Sequence, residues 1–132
     1  MKDRFKFRFW DKKEKEYFTC GDIDHKSGIL KTYPYRTYNW CFEHKNIIAE
    51  QCTGLKDKNG KLIYEGDIVE LTRARNYGYT PRGSRLVIKW NTFDCCGFST
   101  GIRGNLTKKC ADNCIVIGNI HENSDLIKVG GK

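Results

Sequence analysis

Residues 53–69 read TGLKDKNGKLIYEGDIV, and this stretch carries the strongest fold signal in the chain. Its adjacent Asn59 and Gly60 are typical of a tight hairpin turn, because both residue types tolerate the positive φ that such turns require. A second turn is predicted at residues 64–67. The β-branched and apolar run that follows, residues 68–71, is typical of a strand.

Three glycines recur at a regular spacing in this stretch. Gly54, Gly60 and Gly66 lie six residues apart, each beside residues that favour turns. Glycine adopts positive φ at little steric cost, so we expect left-handed backbone at these positions. Two tight turns around a short strand explain the whole stretch, and we therefore interpret it as structural in preference to ligand-binding.

The N-terminal side of the chain predicts a hairpin followed by another strand. Residues 5–10, FKFRFW, alternate aromatic and basic side chains, and this period of two predicts a strand with one buried and one solvated face. Residues 11–16 predict a polar turn, and residues 17–20 a second strand that closes the hairpin. Residues 46–53 predict a further strand.

The C-terminal side begins with an irregular, basic segment. Residues 73–85 combine arginines, tyrosines, glycines and a proline, which predicts a loop or the tip of a wide hairpin. The other predicted elements are a strand at 85–90, a chain reversal at 93–98, a buried strand at 114–117 and a helical turn within 119–126. Residues 106–110 fit neither a helix nor a strand clearly.

Short strands with turns between them predict a mainly β fold. We expect a small barrel or sandwich of short antiparallel strands with SH3-like elements. A chain of 132 residues without a linker or an internal repeat predicts a single domain over residues 1–132, with a flexible tail from about residue 128.

Three blocks of the sequence together resemble the YopX family of phage and prophage proteins. Residues 6–11 read KFRFWD, residues 52–69 read CTGLKDKNGKLIYEGDIV, and residues 116–127 read VIGNIHENSDLI. The family has similar blocks in this order and at similar spacing. The resemblance implies a phage or prophage gene, a β-rich fold and possible homo-oligomers, and it brings no established catalytic activity. The sequence departs from the family in its cysteines and in the aromatic block at 33–42, which could be core or surface.

The composition indicates a folded protein outside the membrane. Hydrophobic residues make up 39% of the chain and aromatic residues 13%, which is too apolar for a disordered chain. No apolar run approaches the roughly 20 residues that a membrane-spanning helix needs. The first residues lack the apolar core of an export signal, so we expect a protein in the cytoplasm of the bacterial host.

Seven cysteines raise the question of bridges or a metal. An odd count in a cytoplasmic protein favours reduced thiols, many of them acting as small buried hydrophobic residues. A zinc site is the alternative, with its candidate ligands at Cys95, Cys96, Cys110, Cys114 and His121. Neighbouring cysteines on a strand point to opposite faces, which disfavours that set, so we predict no metal and no cofactor. The chain has no phosphate-binding loop or nucleophile elbow, and we expect no enzymatic activity.

The net charge of +8 favours an anionic partner. Two function classes remain open: binding of a host or phage protein, and binding of single-stranded DNA or RNA, in which arginines contact phosphates and tyrosines stack on bases. The same loop supplies the candidate residues for both classes: Arg73, Arg75, Tyr77, Tyr79, Arg82 and Arg85. Replacement of Arg73, Arg75 and Arg82 by Ala is predicted to remove most binding and to leave the fold intact.

Overall fold

The computed structural model describes residues 6–20, 31–33, 38–74, 81–91, 97–99 and 107–127. The strands are β1 (Phe7–Asp11), β2 (Glu16–Cys20), β3 (Lys31–Tyr33), β4 (Ile47–Lys56), β5 (Leu62–Tyr64), β6 (Asp67–Leu71), β7 (Arg85–Val87), β8 (Lys89–Asn91), β9 (Gly97–Ser99) and β10 (Cys114–Asn119). The helices are α1 (Tyr38–Glu43) and α2 (Lys108–Asp112). Residues 125–127 are helical as well, and they overlap the end of the helical turn predicted within 119–126. The predicted flexible tail lies outside the described residues.

The strands form sheets in the orders β3-β2-β1-β4-β5, β10-β6-β7 and β8-β9. The fold is mainly β, with one sheet curled into a half barrel, which confirms the predicted fold class. One pairing differs from the antiparallel prediction, because β2 and β3 run parallel. Parallel neighbours need a connection that returns along the strands, and ten residues, 21–30, separate these two.

The chain divides into two compact units, Met1–Cys52 and Thr53–Lys132. Strand β4 runs through the boundary between them. The described helices are all too short or too polar to cross a membrane.

The first unit opens with the predicted hairpin of β1 and β2. Phe9 faces Phe18 and Trp10 faces Tyr17 across the antiparallel pair. The turn between the strands is held by Asp11, whose Oδ1 accepts hydrogen bonds from the backbone N–H groups of Lys13 at 2.9 Å and Glu14 at 3.0 Å. Such a local carboxylate bond replaces the strand ladder where the chain reverses.

The core of the first unit contains Phe9, Phe18, Cys41 and Ile47. The other face of β1 corrects the sequence prediction, because Arg8 is only 8% exposed and not solvated. Its guanidinium Nε lies 2.8 Å from Glu50 Oε1 on β4, and it stacks over the Tyr17 ring at 4.3 Å. A basic residue is buried here because a carboxylate directly across the strand pair compensates its charge.

The aromatic block at 33–42 ends in α1, and its side chains divide between core and surface. Cys41 is fully buried, whereas Trp40 is 37% exposed and Phe42 is 50% exposed. The Phe42 ring still contacts the β1 core edge-on, at 5.2 Å from Phe7 and 5.6 Å from Phe9. The side chains of residues 33–39 lie outside the described part of the structure.

The second unit contains the stretch that decides the fold. Gly54, Gly60 and Gly66 all have positive φ, at 85°, 86° and 89°, which confirms the predicted left-handed positions. Gly60 ends a tight turn between β4 and β5, where its N–H donates to Asp57 O at 3.0 Å. The two turns frame the short strand β5, as predicted.

Asp57 connects this turn to a distant strand. Its Oδ1 accepts from the N–H groups of Asn59 and Lys61, both at 2.9 Å, and its Oδ2 accepts from the N–H of Val116 in β10 at 2.9 Å. The carboxylate is buried, with the residue only 5% exposed, and it binds three backbone donors. The turn is therefore built around one acidic side chain as well as around its glycines.

In the three-stranded sheet of the second unit, β6 is the central strand and pairs antiparallel with both β10 and β7. Residues 72–84 connect β6 to β7, and the two strands are antiparallel, so the predicted wide hairpin is confirmed at its base. The predicted strand at 85–90 divides at Ile88, whose N–H and C=O bond instead to Asp67 O at 3.0 Å and Gly66 N at 2.8 Å. Strands β8 and β9 form the predicted chain reversal.

The core of the second unit includes two of the cysteines. Cys110 and Cys114 pack with Ile63, Leu86 and Ile88, and both thiols are buried and unbridged. Cysteine acts here as a small hydrophobic residue, as expected. The short helix α2 carries Cys110 into this core and begins at Thr107, whose hydroxyl accepts the N–H of Cys110 at 3.2 Å. That cap resolves the ambiguous pattern at 106–110.

Candidate interaction surface

The base of the β6–β7 hairpin carries two of the predicted binding residues. Arg73 and Arg82 are both exposed. Neither guanidinium has a hydrogen-bond or ion-pair partner among the described residues. Arg75, Tyr77 and Tyr79 lie outside the described residues.

Backbone hydrogen bonds hold the two arginines close together. Leu71 donates its N–H to Ser84 O and accepts from the N–H of Gly83, both at 2.9 Å. Arg73 follows Leu71 by two residues, and Arg82 immediately precedes Gly83. The two arginines therefore lie on adjacent segments at the same end of the hairpin, where both add positive charge.

Arg85 has a different environment from the other two arginines. Its Nε lies 3.3 Å from Glu70 Oε1, and its Nη1 donates to Leu126 O at 2.9 Å. The side chain is 40% exposed, so the ion pair itself contributes little to stability. These contacts nevertheless occupy two of the Arg85 donors. Arg73 and Arg82 make no such contacts among the described residues, so they are better candidates for binding a partner.

Two further basic segments lie beside this hairpin. The N–H of Lys58 donates to Cys114 O at 2.9 Å, and the N–H of Thr72 donates to Asn113 O at 2.8 Å. The Asn113 side chain also donates to Lys109 O at 2.9 Å, which holds α2 at the same place. Sequence reasoning missed Lys58 and Lys109, because no local pattern reveals that these segments meet at the start of β10.

We call this region the basic end of the second unit, defined by the exposed residues Lys58, Lys61, Arg73, Arg82 and Lys109. The segments that form it, 57–61, 71–74, 81–84 and 107–114, contain six basic residues and two acidic ones. Both acidic residues are already engaged: Asp57 binds backbone N–H groups, and Asp112 lies 3.1 Å from Lys108 Nζ. The basic end therefore carries uncompensated positive charge.

The opposite end of the same sheet is acidic. Residues 64–67 and 119–125 meet there, because Ile120 donates its N–H to Gly66 O at 3.0 Å. These segments contain Glu65, Asp67, Glu122 and Asp125 and no lysine or arginine. Asp67 is buried and accepts the N–H of Tyr64, so Glu122 and Asp125 are the exposed acidic residues of this end.

The described residues provide no constellation for metal chemistry. No group of three or more His, Cys, Asp or Glu side chains among them could hold a metal ion. Cys110 and Cys114 lie in the apolar core, and the Cys114 thiol donates to Ala111 O at 3.5 Å. The other two proposed thiol ligands, Cys95 and Cys96, fall outside the described part of the chain.

The comparisons with known proteins decide the family. The family model described as YopX protein matches residues 6–128. The chain belongs to the YopX family. All three sequence blocks that carry the resemblance lie entirely within the matched residues. The second block includes the turn built around Asp57.

A solved structure shares the fold of this YopX-family chain. The crystal structure of protein EF1440 from Enterococcus faecalis is 29% identical in sequence and has a TM-score of 0.55. The similarity covers 92% of this chain and 96% of that one. A search among curated proteins finds no match.

Proposed function

We propose that this YopX-family chain is a non-enzymatic accessory protein of a phage or prophage, which acts by binding a host or phage protein. The observation that carries the proposal is that Arg73 and Arg82 are exposed on hydrogen-bonded segments of one hairpin, and that neither has an acidic partner among the described residues. Arginine is enriched at protein interfaces, where its planar guanidinium binds carboxylates through two hydrogen bonds. An acidic surface on the partner would fit this pair.

A binding role also agrees with the environment of the buried acidic residues. Asp57 binds three backbone N–H groups, Asp67 accepts the N–H of Tyr64 at 2.7 Å, and Glu50 binds Arg8 and Tyr17. These carboxylates stabilise the fold through their contacts. We therefore propose that exposed side chains, and not a buried reactive group, provide the function.

The proposed location is the bacterial cytoplasm. Cys41, Cys52, Cys110 and Cys114 are buried and form no disulfide. Unbridged cysteines at this frequency are typical of a reducing compartment. The phage or prophage origin that the family resemblance implies is consistent with this location.

Nucleic-acid binding is the second candidate function. Arg73 and Arg82 flank a segment whose sequence contains Arg75, Tyr77 and Tyr79. Arginines that contact phosphates and tyrosines that stack on unpaired bases are the usual combination for single-stranded DNA or RNA. The same arginines would thus serve either function, and competition separates the two.

The test is capture of partners from host lysate by the immobilised protein. We compare the unchanged protein with the double variant Arg73→Ala/Arg82→Ala, and with Lys12→Ala/Lys13→Ala as a control. The control removes two exposed charges from the β1–β2 turn, where the lysine backbone groups and not the side chains make the contacts. Each capture is repeated with excess nonspecific DNA and RNA.

We expect the unchanged protein and the control to capture the same partner protein, and the arginine variant to lose it. Excess nucleic acid should not displace this partner. Loss of two exposed charge contacts, worth up to about 1 kcal/mol each, should lower the affinity about tenfold. Retention of every captured protein by the arginine variant would refute the role of the hairpin. Displacement by nucleic acid would favour the second candidate.

A further inference from the structure

The turn at 57–61 presents a lysine that the fold does not use. Asp57 and Gly60 form the hydrogen bonds that shape this turn, and only the backbone of Lys58 takes part in a hydrogen bond. The Lys58 side chain is exposed and has no ion-pair partner among the described residues. The turn therefore does not require a lysine side chain at position 58, and its charge is available to a partner.

The backbone bonds of β10 place Lys58 in line with the hairpin arginines. Lys58 and Thr72 bond to successive carbonyls, Cys114 O and Asn113 O, from the two sides of the β10 backbone. Neighbouring chains in a sheet lie about 4.8 Å apart, so the backbones of Lys58 and Thr72 are about 10 Å apart. Arg73 and Arg82 continue this line toward β7, and α2 brings Lys109 beside Asn113. The basic end is thus a continuous row across the strands.

The dimensions of this row suit an extended peptide. The side chains on one face of such a peptide recur about every 7 Å, which fits basic residues on neighbouring chains about 5 to 10 Å apart. Its carboxylates would bind the arginines through paired hydrogen bonds and the lysines through charge. Tyr77 and Tyr79, which could stack on bases, lie outside the described residues, and the oligonucleotides in the test separate nucleic acid from the peptide.

We propose that the basic end binds an extended acidic segment of the partner polypeptide, and that Lys58 and Lys109 contribute to this surface together with Arg73 and Arg82. The inference rests on the proposed function and names the chemistry of the partner. It also assigns a binding role to one position, Lys58, of the stretch that otherwise builds the turn. The acidic opposite end of the sheet would repel the same segment and so fix where it binds.

The test measures binding of a synthetic peptide of alternating glutamate and serine, about ten residues long so that it spans the row. A single-stranded oligonucleotide and a short duplex of matched charge are measured in parallel, at low and at moderate salt. The variants are Lys58→Ala/Lys109→Ala, Arg73→Ala/Arg82→Ala and the control Lys12→Ala/Lys13→Ala. All three remove two exposed charges, so a nonspecific effect of net charge would be the same for each.

Each variant loses two exposed charge contacts, so we expect the lysine variant and the arginine variant each to bind the peptide about tenfold more weakly. The control should bind it like the unchanged protein. If only the arginine variant loses affinity, the hairpin still binds a partner but the extended row is wrong. If neither variant differs from the control, neither the lysines nor the hairpin arginines bind the peptide, and both proposals are wrong. Binding of the oligonucleotides without binding of the peptide would overturn the acidic polypeptide in favour of nucleic acid.

Discussion

Asp57 shows at the scale of single residues how one side chain can organise a turn and a sheet together. Its two carboxylate oxygens bind donors that are close in sequence, Asn59 and Lys61, and a donor that is 59 residues away, Val116. Hydrogen bonds to a charged acceptor contribute more than neutral ones, and a buried donor left without an acceptor is costly. The stability of the second unit should therefore depend strongly on this residue.

We predict that Asp57→Ala lowers the free energy of unfolding by about 3 kcal/mol, because it leaves three backbone N–H groups without their acceptor. Asp112→Ala is the matched control. It removes an equal charge, but only from an exposed pair with Lys108 that is worth about 0.5 kcal/mol. Urea unfolding of the two variants measures the difference. Equal losses would mean that the carboxylate of Asp57 does not hold the turn to β10.

The sequence predicts part of this residue-scale picture. Gly54, Gly60 and Gly66 are recognisable because positive φ leaves a local sign in the residue type. The bond from Asp57 to Val116 leaves no such sign, because nothing local identifies a partner so far along the chain. Arg73 and Arg82 were found from composition, whereas Lys58 and Lys109 join them only through tertiary contacts of β10.

At the scale of elements, β1 shows where a period of two misleads. Phe7 and Phe9 face the core as the alternation predicts, but the basic face is covered too. Arg8 is directly opposite Glu50 in the β1–β4 register, and Tyr17 donates its hydroxyl to the same Glu50 oxygen at 2.9 Å. Alternation reports side-chain polarity, and a paired charge can be buried as well as solvated.

We predict that Arg8→Met lowers the free energy of unfolding by about 3 kcal/mol, because it leaves the Glu50 carboxylate buried without its cation. The double variant Arg8→Met/Glu50→Leu should be more stable than Arg8→Met alone, since it also removes the unpaired charge. Urea unfolding of both single variants and the double variant forms a complete cycle. Strictly additive losses would contradict a direct coupling between the two side chains.

The elements themselves were predictable to the extent that their patterns are local. The β1–β2 hairpin, β4, the two turns around β5, and β10 all lie where their residue patterns place them. Helices α1 and α2 are not predictable from the sequence because they have only six and five residues, α1 within an aromatic block and α2 within an ambiguous stretch. Helices this short gain most of their stability from packing and capping, which composition alone does not reveal.

At the scale of the whole molecule, the sequence predicts one domain and the structure contains two compact units. Strand β4 has ten residues and belongs to both, because it pairs with β1 in the first unit and leads into the Asp57 turn of the second. The prediction of a single cooperative domain therefore stays open to a direct test.

We predict one unfolding transition for the whole chain. Trp10 and Trp40 report on the first unit, and Trp90→Phe removes the only other tryptophan of the sequence. In that background, Asp57→Ala in the second unit should shift the fluorescence midpoint of the first unit as much as it shifts the far-ultraviolet circular dichroism. A fluorescence midpoint that does not move would show that the two units unfold independently.

The claim that the molecule acts by binding through its basic end depends on Arg73 and Arg82. The most direct measurement is the dissociation constant of a captured partner protein for Arg73→Ala/Arg82→Ala and for the charge-matched control Lys12→Ala/Lys13→Ala. We expect about tenfold weaker binding for the arginine variant and unchanged binding for the control. Equal affinities of the two variants would contradict it, and the binding surface would then lie elsewhere on the molecule.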